Sequence, residues 1–153
     1  MKLYLDTSVL GGYFDKEFKE DTVAFLDYAR ENSVNLVCST LTEEELVNAP
    51  DRVKALAYRL IEDPTIGIGM EVIEVSHAAM QLAKIYVRQG ALTQRCEADA
   101  LHIAIASLHQ VDALVSWNFK HMVNFVRIQM YNKINAVLGY ASIDIRSPKE
   151  VIL

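Results

Sequence analysis

LYLDTSVL, at residues 3–10, is the pattern of a buried strand that ends at an acid. Its three leading apolar residues are typical of a parallel strand that is covered on both faces. Asp6 therefore belongs at the carboxyl end of the strand, where open α/β sheets form their ligand crevices. Thr7 and Ser8 can both cap a following helix, which would leave Asp6 free. We expect the chemistry of the chain to gather around Asp6.

Strands and helices alternate along the rest of the chain. Apolar runs predict further strands near residues 34–38, 72–75, 113–115 and 143–145. Helical periodicity is found at residues 20–31, 76–88, 96–109 and 119–134, and Pro64, Gly67 and Gly69 mark a turn. This order favours an α/β fold with a mostly parallel sheet. No repeat or linker divides the 153 residues, so we expect a single domain over 1–153.

Composition limits the class of protein. Hydrophobic residues make up 52% and charged residues 23% of the chain, which allows a sizeable core and argues against disorder. No apolar stretch approaches the roughly 20 residues that span a bilayer, and no signal pattern precedes the first strand. We therefore expect a soluble, cytoplasmic protein without membrane contact. Cys38 and Cys96 lack zinc-ligand spacing and are interpreted as reduced, mostly buried thiols.

The net charge of −5 argues against binding that depends on a strong overall positive field. Acids clustered at a metal site would make the net charge more negative, and a local basic patch could still bind phosphates. Two helices carry candidate patches, which could equally be solvated faces: Arg52, Lys54 and Arg59 on the first, and Lys120, Arg127 and Lys133 on the second.

Four polar residues from separate parts of the chain are predicted to share one sheet edge. Asp6 ends the first strand, Glu45 lies in the first turn of the helix after the second, Asp99 begins the central helix and Asn118 follows the strand at 113–115. Converging carboxylates repel one another unless a cation lies between them. Oxygen ligands suit Mg²⁺ or Mn²⁺, and such an ion can activate water at a phosphodiester.

Each of the four also has a structural interpretation. Asp6 could cap the helix that follows it, and Asp99 could interact with its own helix N-terminus. Glu45 could be the acid of a capping box with Thr42 as N-cap, and the adjacent Glu43 and Glu44 leave the choice of acid open. Asn118 could be a turn residue.

Neighbouring residues are weaker candidates. His102 follows Asp99 by one turn but fits a satisfied core histidine better, and His77, His109 and His121 are interpreted as surface or packing residues. Trp117 could stack on a base, although a half-buried aromatic fits better.

The chain resembles the PIN domains, and among them the VapC-like toxin ribonucleases. The matching stretches are LDTSVL at 5–10, STLT at 39–42 with Glu45-Leu46, ADALHIA at 98–104 and LVSWNFKH at 114–121. The resemblance implies a three-layer α/β/α fold and cleavage of RNA with Mg²⁺ or Mn²⁺. It makes Asp6, Asp99 and Glu45, the acid directly before Leu46, the metal ligands. The fourth family acid falls at Asn118, an amide without the charge that favours a second ion.

The leading hypothesis is thus an endoribonuclease with Asp6, Glu45, Asp99 and Asn118 as catalytic residues. A non-catalytic PIN-like module that binds RNA or a protein is the alternative. An aspartyl-phosphate enzyme is weaker, because Ser8 stands where a second aspartate is usual. By resemblance an antitoxin partner and a homodimer are expected. Four residues could supply the contact surface or belong to the core: Leu46, Val47, Leu56 and Tyr58.

Overall fold

The structure is a computed structural model that describes residues 1–63, 65 and 68–153. Pro64 and Gly67 of the predicted turn lie outside the described residues. Among those described, no helix combines the length and apolar character needed to cross a membrane.

The core of the fold is a five-stranded sheet in the order β3-β2-β1-β4-β5. All four strand pairs of this sheet are parallel, because each strand is followed by a helix that returns the chain to the same edge. The predicted α/β fold is therefore confirmed. The strands are β1 Lys2–Leu5, β2 Asn35–Ser39, β3 Glu71–Ile73, β4 Ala113–Val115 and β5 Ile145–Arg146.

Helices cover both faces of the sheet and complete three α/β/α layers. Alternation along β1 sends Tyr4 into the cluster on one face and Leu3 and Leu5 into the cluster on the other. The first cluster includes the helices His77–Arg88, Glu97–Leu108 and Phe125–Val137, and the second includes the helices Thr7–Gly12, Lys19–Glu31 and Asp51–Glu62. The helices are α1 Thr7–Gly12, α2 Lys19–Glu31, α3 Thr40–Leu46, α4 Asp51–Glu62, α5 His77–Arg88, α6 Glu97–Leu108, α7 Phe125–Val137 and α8 Pro148–Val151, with a 3₁₀ turn at Gln94–Cys96.

The helix after β2 differs from its prediction in a way that moves a site residue. Ser39 is the N-cap, and its backbone N–H donates to Thr42 Oγ1 at 3.3 Å. Thr42 is therefore the third residue of the helix and not its cap. Glu45 lies in the second turn, which rules out the predicted capping box. The signal was misleading because Ser39 and Thr42 are both good capping residues.

The segment after β4 also differs from its prediction. The predicted helix at 119–134 begins only at Phe125, with Asn124 as its N-cap. Residues 119–124 form a loop, because Asn118 Oδ1 accepts the backbone N–H groups of Lys120 and His121. Such local side-chain bonds compete with a helix for the same backbone groups.

Candidate active site

Asp6 lies at the carboxyl end of β1 and is 4% exposed. It is itself the N-cap of α1, with Oδ1 accepting the backbone N–H of Ser8 at 3.1 Å and its hydroxyl at 2.5 Å. Oδ2 accepts the Ser116 hydroxyl at 2.9 Å. The expectation that Thr7 and Ser8 cap this helix is thus wrong, since a short carboxylate directly before the first turn reaches the free N–H better. Asp6 is held rigidly at the sheet edge.

Glu45 approaches the same edge from α3. Its Oε1 accepts the Thr7 hydroxyl at 2.7 Å and the Nε2–H of His102 at 2.5 Å. The Glu45 side chain is 32% exposed, whereas that of His102 is 2% exposed. Both recorded bonds go to Oε1, so the orientation of the carboxylate is fixed from one side.

A buried relay orients His102. The Tyr4 hydroxyl lies 2.6 Å from His102 Nδ1 and 2.7 Å from the Ser39 hydroxyl. Because Nε2 donates to Glu45, Nδ1 of a neutral imidazole must accept from Tyr4, and Tyr4 accepts from Ser39. Burial raises the pKa of Tyr4, which keeps its hydroxyl a donor. His102 is thus both the satisfied core histidine that was predicted and the support of a site acid.

Asp99 lies in the first turn of α6 and faces Asn118. Its Oδ2 accepts an amide N–H of Asn118 at 3.1 Å. The amide oxygen of Asn118 accepts the N–H groups of Lys120 and His121 at 3.1 and 3.0 Å. Asn118 is therefore the predicted turn residue, and it also holds Asp99 through its nitrogen.

Neighbouring carboxylates contribute to the raised pKa values of two of the three acids. Burial raises the pKa of Asp6, and the charge of Asp99 raises it further. Burial likewise raises the pKa of Asp99, with the charge of Glu45 adding to the effect. Burial also raises the pKa of Glu45, but the hydrogen bonds from His102 and Thr7 outweigh it, so its pKa lies below the usual range.

The donor chemistry of these acids suits a divalent cation, although among the described residues it is Cys96, Asp99 and His121, and not the three acids, that place ligand atoms within 4.8 Å of one another. Two of the three acids are less readily ionised than usual because they are buried beside other carboxylates, and a cation between them would relieve that cost. All three offer hard oxygen ligands, the donor type of Mg²⁺ and Mn²⁺. Asp6, Glu45 and Asp99 are the residues that would hold such an ion.

Two residues beside Asp99 were missed from the sequence. Cys96 Sγ lies 3.2 Å from His121 Nε2, and both side chains group with Asp99. Cys96 and His121 are too far apart in the sequence to match a zinc-ligand spacing. In addition, the loop that carries His121 was predicted as helix. The only available signal was the pair Cys96 and Asp99, three residues apart on one helix face.

Two of the remaining candidates, Trp117 and Arg127, have structural roles. Trp117 stacks on Phe18, with ring centres 4.3 Å apart, and its indole N–H donates to Thr22 Oγ1 at 2.9 Å. It is 8% exposed, so the base-stacking interpretation is wrong and the packing interpretation holds. Arg127 donates to the carbonyl of Ala91 at 2.6 Å.

A family model described as PIN domain matches residues 3–118. Among solved structures, VapBC2 from Rickettsia felis, bound to a DNA fragment from their promoter, superposes with a TM-score of 0.62 at 15% identity, over 96% of this chain and 98% of that chain. FitAcB from Neisseria gonorrhoeae gives 0.59 at 17% identity, over 95% and 97% of the two chains. FitAB bound to an IR36 DNA fragment gives 0.58 at 18%, over 96% and 95%. No curated protein matches the chain.

Proposed function

The chain belongs to the PIN domain family, and we propose that it is an endoribonuclease that depends on Mg²⁺ or Mn²⁺. The observation that carries the proposal is the group of three acids at the carboxyl edge of the sheet. Two of them, Asp6 and Asp99, have pKa values raised by burial and by a neighbouring carboxylate. Carboxyl groups with pKa values perturbed in this way are concentrated at functional sites.

Some residues of the chain would bind the ion, and others hold those ligands in place. Asp6, Glu45 and Asp99 would bind the ion, which supplies a polarised water and stabilises charge on a phosphoryl oxygen. Ser8 and Ser116 fix Asp6, while Thr7 and His102 fix Glu45. Such supporting bonds keep ligands in place before the ion arrives.

Asn118 has a positioning role in this proposal. Its nitrogen holds Asp99, and its oxygen is engaged by two backbone N–H groups. A fourth negative charge is therefore missing, and we infer that a single ion does the chemistry.

We also propose an antitoxin partner and a homodimer. The solved structures that share this fold include VapBC2 and FitAB assemblies, which supports the partner. Of the four residues considered for a contact surface, Leu46 and Leu56 are core, whereas Val47 and Tyr58 are 65% and 67% exposed. Only the latter two are accessible to a protein partner.

Cleavage of an RNA pool in Mn²⁺ tests the nuclease. We expect Asp6→Asn, Asp99→Asn and Glu45→Gln each to lower the rate by at least about 100-fold, because each removes a charged metal ligand. Glu44→Gln, at the exposed neighbour of Glu45 in α3, should leave the rate within about twofold. Equal rates for Glu44→Gln and Glu45→Gln would contradict the assignment.

The alternative is a non-catalytic module that binds RNA or protein, and the amide at Asn118 favours it. Calorimetric titration with Mg²⁺ and Mn²⁺ separates the two functions. Binding that is lost in Asp6→Asn, which leaves the Cys96, Asp99 and His121 side chains unchanged, supports the nuclease. A chain that binds RNA but neither ion at millimolar concentration would be the module.

A further inference from the structure

A second group of metal-ligating side chains shares Asp99 with the acids. Cys96, Asp99 and His121, the thiolate cluster, place one ligand atom each within 4.8 Å of the others. Cys96 Sγ and His121 Nε2 are already 3.2 Å apart. A tetrahedral ion with bonds of about 2.0–2.3 Å separates its ligand atoms by about 3.3–3.6 Å. Small side-chain movements would therefore close the cluster around an ion.

Backbone contacts position the three members of the cluster. Cys96 is the N-cap of α6 and Asp99 lies in its first turn, so both point to one side of the same helix end. The loop carrying His121 is fixed by Asn118, which accepts its N–H, and by Tyr131, whose hydroxyl donates to its carbonyl at 2.6 Å. Three ligands from two elements are thus brought together before any ion binds.

The imidazole of His121 is incompletely satisfied. Its Nδ1 is buried and has no hydrogen-bond partner among the residues that the structure describes. No other side-chain nitrogen or oxygen of the described residues is recorded in this condition. Nε2, the nitrogen beside Cys96 Sγ, is the one that would bind an ion, so the unpaired Nδ1 is a separate feature, and the site rests on the geometry of its three ligand atoms.

We propose that the thiolate cluster is a Zn²⁺ site with water as the fourth ligand. A thiolate and an imidazole are the ligands that select Zn²⁺ and similar transition ions over Mg²⁺. Three protein ligands and one open position are typical of catalytic zinc sites, whereas structural sites have four protein ligands. The Thr93 hydroxyl donates toward Cys96 Sγ at 3.5 Å, and the start of a 12-residue helix favours negative ligands.

Because Asp99 belongs to both groups of ligands, Zn²⁺ binding affects the proposed Mg²⁺ or Mn²⁺ site. An ion held by Cys96 and His121 takes a carboxylate that the Mg²⁺ or Mn²⁺ site needs. Zn²⁺ therefore acts as an inhibitor that competes with the activating ion. This consequence rests on the proposed nuclease function, whereas the binding of Zn²⁺ does not.

Cobalt spectroscopy of the 153-residue chain tests the site without measuring activity. Co²⁺ replaces Zn²⁺ in such sites, and a bound thiolate gives a charge-transfer band in the near ultraviolet. We expect the wild type to show this band and Zn²⁺ to abolish it. Cys96→Ser should remove the band, while Cys38→Ala, at the only other cysteine, should retain it. His121→Gln should weaken Co²⁺ binding by at least about tenfold.

Folding is checked for each variant by circular dichroism, and serine at position 96 keeps a favourable N-cap. Absence of the band in the wild type, or its persistence in Cys96→Ser, would overturn the Zn²⁺ site and leave the nuclease proposal intact. In a cleavage assay, Cys96→Ser should need at least about tenfold more Zn²⁺ for half-inhibition. If the wild type shows the cobalt band but does not cleave RNA, the nuclease proposal is overturned and the Zn²⁺ site stands.

Discussion

At the scale of single residues, Asn118 sets the charge of the site. Its nitrogen donates to Asp99 at 3.1 Å, so an aspartate at this position would place a second carboxylate against the first. We expect Asn118→Asp to raise Mn²⁺ affinity by about tenfold, because more charged ligands bind hard cations more tightly. It should also destabilise the ion-free protein by about 1 kcal/mol through repulsion.

Calorimetry with Mn²⁺ and chemical unfolding in EDTA measure the two effects. The matched control is Asn35→Asp, which adds the same charge at the start of β2, on the opposite edge of the sheet. An unchanged Mn²⁺ affinity in Asn118→Asp would show that this position does not face the ion.

Asp99 makes stability depend on pH when no ion is present. Burial raises its pKa in the folded chain, so the folded state holds this proton more tightly than the unfolded state. The wild type thus loses stability as pH rises from about 4, the unfolded value, through the raised folded value. Asp99→Asn lacks this titration. In EDTA, the free energy of unfolding of Asp99→Asn minus that of the wild type should therefore increase over that pH range and then level off.

Unfolding curves between pH 4 and pH 8 check this expectation, with Glu97→Gln as the control for loss of an exposed negative charge at the same helix end. A difference between Asp99→Asn and wild type that stays constant or falls with pH would contradict it.

At the scale of elements, the contact of α1 with the loop after β4 depends on a glycine. A Cβ at Gly12 would lie 2.7 Å from Trp117 Cδ1 and Nε1 and 3.0 Å from Thr22 Oγ1. The indole cannot easily move, because it stacks on Phe18 and donates to Thr22. We expect Gly12→Ala to lower the free energy of unfolding by about 1–3 kcal/mol.

Gly11→Ala is the matched control in the same helix, since a Cβ there meets nothing within 4 Å. It should be neutral or stabilising by up to about 1 kcal/mol, because alanine is the better helix former. Denaturant titration measures the free energy of unfolding of the two variants. Equal values would mean that α1 does not pack as described.

Element order could be read from the sequence, whereas the local chemistry of helix ends could not. The apolar run before Asp6 predicts β1 because burial on both faces leaves no room for polar residues. Ser39 and Thr42 have the same capping chemistry, so the start of α3 and the place of Glu45 within it were wrong. The loop at 119–124 was predicted as helix because the bonds to Asn118 Oδ1 depend on the folded geometry.

At the scale of the whole molecule, the parallel sheet explains why distant residues meet. The carboxyl ends of β1, β2 and β4 lie side by side, which brings Asp6, the helix with Glu45 and the loop with Asn118 to one edge. Residues that reach the site through tertiary packing could not be foreseen. Tyr4 and His102, 98 positions apart, form one relay, and His121 meets Cys96 only in the fold. That residues 1–153 form one domain stays a prediction.

The central claim is that Asp6, Glu45 and Asp99 hold a divalent cation at this edge. Crystals soaked in Mn²⁺ and measured for anomalous scattering test it most directly, with an Asp99→Asn crystal as control. The account predicts a peak in contact with carboxylate oxygens of all three acids, absent from the variant. Well-ordered acids with no peak between them, or peaks only elsewhere on the chain, would contradict it.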